Sequence, residues 1–239
     1  MSKILIKFAT RGRPEFFRRA ISNIYATVSD VSSITILVSI DEDDKSMQVD
    51  PILNFMNAHE DILYHFGKKV SKIEAINRDM DVVKDWDILV NMSDDMYFVK
   101  FGWDNLIRQR MKDNFPEGDC FLHFDDGYVH DALSTMSIMD RKYYNRDGYI
   151  YHPSYRSFSC DAEAFFVAVA RGRHKYFDEI LATHQHPTNT PRKNDETYSV
   201  NSLHTPHDTA NYWERLHNDF GMKEEGIVGP YPWDKWKTK

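Results

Sequence analysis

Four apolar runs, Lys3–Ala9, Ile34–Ile40, Ile62–Phe66 and Asp87–Met92, alternate with segments of helical period along the first part of the chain. This alternation constrains the fold more than any other feature, because short β-branched runs separated by helices build a parallel sheet with helices on its faces. After the first run, Pro14 suits an opening helical turn, where its missing N–H forfeits no bond. Phe17, Ala20, Ile21 and Ile24 then recur on one face, with Arg18 and Arg19 on the other. A second helix is predicted over Val49–Ala58 and a third over Ser71–Lys84, where Ile73, Ile76, Met80 and Val83 form the apolar stripe. The fourth run (DILVNM) has an unbroken apolar middle, as a strand buried on both faces requires.

Three of these strands run into polar clusters: Thr10-Arg11-Gly12-Arg13, then Asp41-Glu42-Asp43-Asp44, then Ser93-Asp94-Asp95. Open sheets of this kind bind ligands beyond the carboxyl ends of their strands, so the clusters are expected to converge on one crevice. Past Asp95 the pattern is less regular. Helices are predicted at Trp103–Lys112, Cys160–Arg171 and His207–Asp219, and strands at Cys120–Phe124 and near Ser134–Met139. No linker-like stretch or solenoid repeat interrupts the chain, and 239 residues with 41% hydrophobic content supply one sizeable core. The expected architecture is α/β: one Rossmann-like domain over residues 1–220, mainly parallel in its central sheet, with an irregular second half and a tail at 221–239.

Charge narrows the partners. A formal net charge of −7 argues against a generic polyanion binder, which needs a basic excess. The apolar runs are too short to span a bilayer, and the N-terminus lacks a secretory apolar segment. Two cysteines, Cys120 and Cys160, stand at no metal-ligand spacing. A cytoplasmic setting fits these features. The tail Gly229–Trp236 carries two prolines and three aromatics and is expected to pack on the body, since exposed indoles are unfavourable.

Two adjacent carboxylates at the end of a buried strand, Asp94 and Asp95, repel one another unless something positive sits beside them. A divalent cation shared with a diphosphate relieves that repulsion, and Mg²⁺ or Mn²⁺ favours such oxygen ligands. An isolated Asp-Asp pair is more often a solvated turn or helix cap. Its surroundings decide the matter here. The order Ala-Thr-Arg-Gly-Arg-Pro, Ser-Ile-Asp-Glu-Asp-Asp, Lys-Ile-Glu-Ala-Ile-Asn-Arg and Val-Asn-Met-Ser-Asp-Asp resembles the family-two-like glycosyltransferases of the GT-A fold. The resemblance covers roughly residues 3–200 and is closest up to Trp103.

That resemblance implies roles position by position. Thr10, Arg11 and Arg13 match the loop around the donor's nucleobase, and Asp41 the carboxylate that meets a uracil-like base, with Asp43 close behind. Lys72 and Asn77 match the segment flanking ribose and phosphates. Asp94 and Asp95 fall on the DXD motif, Asp95 as metal ligand and Asp94 nearer the ribose, while Ser93 replaces the motif's first acid. Trp103 reads equally as a sugar platform or a core residue. Asp125 and Asp126 match holders of donor-sugar or acceptor hydroxyls, or else simply form a turn. Asp161 is the first choice for the base that deprotonates the acceptor, with Glu163 next, although an acid at a helix start is ordinarily a cap. His184 and His186, at i and i+2 on an extended segment, point to one side, with His184 the better metal ligand.

The implied reaction is metal-dependent, inverting transfer of a sugar, most simply a hexose, from a nucleotide diphosphate donor to an acceptor hydroxyl. The donor is expected to be UDP-linked, the cofactor Mn²⁺ or Mg²⁺, and the acceptor a glycan or small molecule. Residues 1–100 would bind the nucleotide-sugar and residues 101–220 would supply the acceptor side. Three alternatives stand beside it. A nucleotidyltransferase would bring a glycine-rich phosphate loop, whereas Thr10–Arg13 holds a single glycine. A silent nucleotide-binding module would lack donor hydrolysis. The same chemistry on a hydroxymethylated base of viral DNA would use the basic groups Arg141, Lys142 and Arg146, then Arg171, Arg173 and Lys175, then Lys235, Lys237 and Lys239.

Overall fold

The alternation read from the sequence is the alternation found in the fold, a computed structural model that describes residues 1–187, 190–191 and 195–237. In chain order, β1 (Ile4–Thr10), α1 (Pro14–Thr27), β2 (Ile34–Asp41), α2 (Asp50–Asn57), β3 (Ile62–Gly67), α3 (Lys72–Asn77) and β4 (Ile88–Met92) form the first half. The second half adds β5 (Met96–Phe98), α4 (Trp103–Asn114), β6 (Phe121–Asp125), β7 (Ile138–Asp140), α5 (Arg141–Asp147), α6 (Cys160–Ala170), β8 (His174–Ile180) and β9 (Ala182–His184). The chain closes with α7 (Glu196–Ser202), α8 (Thr205–His217) and the short α9 (Asp234–Lys237).

Seven strands make one sheet in the order β3-β2-β1-β4-β7-β6-β8, so both halves of the chain share it. Strands β1 to β4 pair in parallel, as do β6 and β8, and β7 alone runs against its neighbours β4 and β6. Side chains alternate across the sheet. Ile4, Ile6 and Phe8 of β1 pack in the layer that contains Phe17, Ile21 and Ile24 of α1. Leu5 faces the other way, into the layer of Ile73 and Ile76 from α3 and Ala168 from α6. A polar residue, Lys7, falls on that second face. The tail folds back as expected: Trp233 is fully buried against Phe220 and donates its indole N–H to Asp219.

Two differences from the sequence reading have physical causes. The third helix stops at Asn77 rather than Lys84, because Arg78 is extended and Asp79 takes the left-handed conformation at φ 66°. The Arg78 guanidinium locks that break by donating to the carbonyls of Lys68 and Ile40. Met80, Val83 and Trp86 still reach the same core layer, from a turn rather than a helix. Trp103 is not a sugar platform. It is wholly buried at the start of α4, with its ring stacked on Phe98 at 3.9 Å between centroids and 1° between planes. A ring closed in on that side by Phe98 and by the core around it offers no face to a ligand.

Truncating Trp103 to Ala therefore removes a large core side chain and leaves a cavity. The expected loss is about 3–5 kcal/mol of stability by chemical denaturation. Retention of wild-type stability would place the indole outside the core.

Candidate active site

The sheet brings the three polar clusters together, as the strand ends require. Thr10, Arg11, Arg13, Asp41, Lys72, Asp94, Asp95, His184 and His186 line one cleft of about 820 Å³, open mouth included. Gly12 makes the tight turn above it at φ 69°, where its N–H reaches Asp44 and a Cβ would sit 3.0 Å from the Thr197 hydroxyl.

The paired carboxylates at the end of β4 are both buried, yet their surroundings differ. Asp94 accepts from the Thr10 hydroxyl at 3.1 Å and from Arg13 at 3.0 Å. Burial pushes its pKa up to about 6 despite the opposing pull of Arg13. Asp95 is buried as well, but His184, 3.3 Å away, and the Ser93 hydroxyl, 2.5 Å away, hold it well below the usual carboxylate range. One neighbour is thus kept charged while the other is eased toward neutrality, which is how two adjacent acids coexist out of water. Ser93, standing where the motif's first acid is expected, acts here as a hydrogen-bond donor to the motif's last.

A small antiparallel sheet places the histidine. Strand β5 leaves directly from Asp95 and pairs with β9 so that Met96 faces His184. The Gln185 N–H then donates to the Asp95 carbonyl at 2.8 Å. His186 follows, its ring 5.3 Å from that of His184, and burial lowers its pKa to about 4, which keeps it neutral. Among the described residues no group of three or more His, Cys, Asp or Glu forms a closed metal cage. Asp95 with His184 offers an oxygen and a nitrogen donor and leaves other positions open. The carboxylate suits Mg²⁺ or Mn²⁺, which complete their shells with phosphate and water, and the imidazole is a better donor to Mn²⁺ than to the harder Mg²⁺.

At the other end of the cleft, Arg11 donates to Asp41 at 3.0 Å and clasps Asp43 with both terminal nitrogens. Asp41 is buried, and its Oδ1 accepts no hydrogen bond, with Arg78 standing 3.4 Å away. Asp43 lies at the rim, half exposed, where Arg11 holds its pKa down. Asn77 is outside the cleft. Its amide is committed to the backbone of Ile150 and Tyr151, so it fastens a loop rather than meeting ribose or phosphate.

A second chamber of about 660 Å³ adjoins the cleft, sharing Lys72, Ser93, His184 and His186. Asp161 faces it from the first turn of α6, and burial raises its pKa above the ordinary carboxylate range. Asn91 Oδ1 and Ser157 Oγ on its walls are buried without hydrogen-bond partners. Glu163, by contrast, is not placed to act as a base. It lies on another side of α6, buried against Tyr155 and gripped by Arg215 through two nitrogens at 2.6–3.0 Å. Asp125 and Asp126 spend their oxygens on a turn: Asp125 on Gly127 and His130, Asp126 on Tyr128, Val129 and Thr135. Both border a recess beside His184.

Residues at and behind the cleft wall escape the sequence reading. Asp195 caps α7 and takes two hydrogen bonds from Arg13, while Thr197 donates to the Arg11 carbonyl at 3.0 Å. The one available signal is Asp195 before Glu196, a helix start. Among the basic groups named for DNA contact, Arg171 pairs with Asp147 and Glu225, Arg146 and Arg173 share Asp119, and Lys237 pairs with Asp219. Lys239 lies outside the described residues.

The Glu163–Arg215 pair is structural on this geometry. Replacing Glu163 by Ala leaves a partly buried cation unpaired, with an expected loss on the order of 3 kcal/mol of stability. A wild-type melting curve for this variant, together with loss of turnover, would return Glu163 to the reacting centre.

No protein-family model matches the sequence, and no curated protein matches it at the level of sequence. Solved structures do match in three dimensions. Mannosyltransferase PcManGT from Pyrobaculum calidifontis, in complex with GDP-Man and Mn²⁺, superposes with a TM-score of 0.70 at 9% identity, covering 97% of this chain and 66% of that one. TarS from S. aureus in complex with UDP-GlcNAc gives 0.62 at 10% identity, over 82% of this chain and 60% of that one. Its UDP complex gives 0.59 at 11%, over 76% and 60%. The chain thus spans less than two thirds of each of these proteins, and the likeness is one of fold. That shared fold is the GT-A, Rossmann-like fold.

Proposed function

We propose that the chain is a metal-dependent glycosyltransferase that moves a sugar, most simply a hexose, from a nucleotide diphosphate donor to an acceptor hydroxyl with inversion. The observation that carries this reading is the convergence of Asp41, the Asp95–His184 pair and Asp161 on two connected chambers. The fold neighbours support the donor class, since their solved complexes contain GDP-Man with Mn²⁺, UDP and UDP-GlcNAc. Residues 1–100 form the donor half, residues 101–220 the acceptor and catalytic half, and 221–239 a buttress. Free, buried Cys120 and Cys160 agree with a cytoplasmic setting. Among the described residues no helix is long and apolar enough to cross a membrane.

Each side chain has a task that its chemistry allows. The Asp41 carboxylate, whose buried Oδ1 has no hydrogen-bond partner, accepts the imide N–H of a uracil-like base, which makes a UDP-sugar the preferred donor. Asp94, tied to Thr10 and Arg13, faces the ribose, and Lys72 and Arg13 meet the diphosphate. Asp95 and His184 would hold Mn²⁺ or Mg²⁺, which supplies positive charge to the departing diphosphate. Asn91 and Ser157 offer unused hydrogen-bonding atoms to sugar hydroxyls. Asp161, its proton affinity raised by burial, takes the acceptor's proton as the acceptor oxygen bonds to the anomeric carbon. The bond from that carbon to the phosphate oxygen breaks, and its electron pair leaves with the nucleoside diphosphate. A single attack opposite the leaving group inverts the centre.

A panel of UDP-, GDP-, CDP- and TDP-sugars with Mn²⁺, scored for binding and slow hydrolysis, tests the reading. Asp95→Ala is expected to stay folded and lose ~10²–10³ in rate. Asp161→Asn should retain nucleotide binding and lose transfer. Near-normal turnover by D95A in added Mn²⁺ would sink the assignment.

A further inference from the structure

Lys7 stands in the middle of β1 with no exposed surface, between Ile6 and Phe8 in a strand otherwise apolar from Ile4 to Ala9. Removing an ammonium from water is unfavourable, and an apolar residue of similar volume at such a place commonly gives a more stable protein. A buried cation in the central strand therefore calls for a reason beyond folding. Its connections supply one. Lys7 Nζ donates to the Ser39 hydroxyl on β2, and that hydroxyl donates to Asp79 Oδ2 at 2.6 Å. Arg78 stands between two carboxylates, with Nε 3.4 Å from Asp79 and a terminal nitrogen 3.4 Å from Asp41 Oδ1. Ser39 and Asp41, two residues apart on one face of β2, both line the cleft.

We propose that Lys7 is a positioning residue for the nucleoside end of the cleft, acting through Ser39, Asp79 and Arg78 to set the carboxylate of Asp41. The inference rests on the nucleotide-sugar reading above. A hydroxyl has one proton to give. While Lys7 donates to Ser39, that proton is directed to Asp79, and the cleft wall at Ser39 presents only a lone pair. The relay also gives Asp79 a second cation, so Arg78 is shared with Asp41 rather than drawn to Asp79. Without the ammonium, the Ser39 hydroxyl is free to rotate and Asp79 competes for Arg78. The Asp41 carboxylate then loses its fixed position as the acceptor for a base N–H.

Among the described residues, the charged groups bearing on Lys7 are Asp79 and Arg78 in the turn after α3, with His65 on β3 acting through Asp79 at 3.0 Å. Its neighbours Ser39 on β2 and Asn91 on β4 do not titrate. Burial lowers the Lys7 pKa to about 7, against the pull of Asp79. The ammonium is present below that pH and lost above it, so nucleotide affinity should fall as pH rises through neutrality. Stability runs the other way. The unfolded chain keeps this proton up to about pH 10.5, so the burden of the buried charge is full below pH 7 and shrinks between 7 and 10.5.

The test is calorimetric titration of the full chain with UDP, GDP, CDP and TDP in Mn²⁺ at pH 6.5 and 8.5, on wild type, Lys7→Met and Ser39→Ala. The expected result for the tightest nucleotide is a loss on the order of tenfold in both variants at pH 6.5, from one charge-assisted network. The gap to wild type should narrow at pH 8.5, and K7M should melt higher than wild type, most clearly at the lower pH. A merely structural lysine would instead lower the melting temperature and leave the pH profile of binding unchanged. Wild-type affinity and pH profile in both variants would overturn the inference while leaving the nucleotide reading intact. Absence of binding by the wild-type chain to any of the four would remove both.

Discussion

Two carboxylates on consecutive residues, both out of water, are the arrangement around which the rest of this molecule is organised. Asp94 and Asp95 close a strand whose neighbours are nearly all apolar, so solvent cannot separate their charges. The fold answers with three groups from distant parts of the chain. Arg13 arrives from the loop after β1, His184 from the end of β9 and Ser93 from the same turn. Asp195 in turn steadies Arg13 from the other side. Arg13, Ser93 and His184 all border the cleft, so the device that relieves repulsion in the resting protein surrounds the place proposed for a diphosphate and its cation.

The first half of this arrangement was legible in the sequence because its causes are local. A β-branched run such as Ile34–Ile40 makes a strand wherever it pairs, and a polar cluster behind it marks the strand's carboxyl end. Helix α3 shows where local signals stop: Met80 and Val83 keep the helical period, yet the chain turns at Asp79. Arg78 holds that turn through carbonyls of Ile40 and Lys68, contacts that no window of sequence contains. Strands β5 and β9 are three residues each and exist only because they pair with one another.

The candidate site divides the same way. Thr10, Asp41, Asp94 and Asp95 stand at strand ends, and strand ends can be read. Trp103, Asn77 and Glu163 carry chemically versatile side chains whose partners lie elsewhere: Phe98 under the indole, the Tyr151 backbone on the amide, Arg215 on the carboxylate. Composition does not reveal whether an indole or a carboxylate is already engaged. Asp161 and Glu163 illustrate this, since two positions along one helix separate a residue facing the chamber from one fixed in an ion pair.

The β5–β9 ribbon is among the smallest pieces of structure in the protein, yet it decides which way an imidazole points. Because successive side chains on an extended strand face opposite sides, sliding β9 by a single residue would present Thr183 where His184 now stands. The reach between the two halves of the site is therefore measured out in whole residues. Inserting or deleting one amino acid between Ala182 and Gln185 would alter the chemistry more than many substitutions there, without disturbing the seven-stranded sheet.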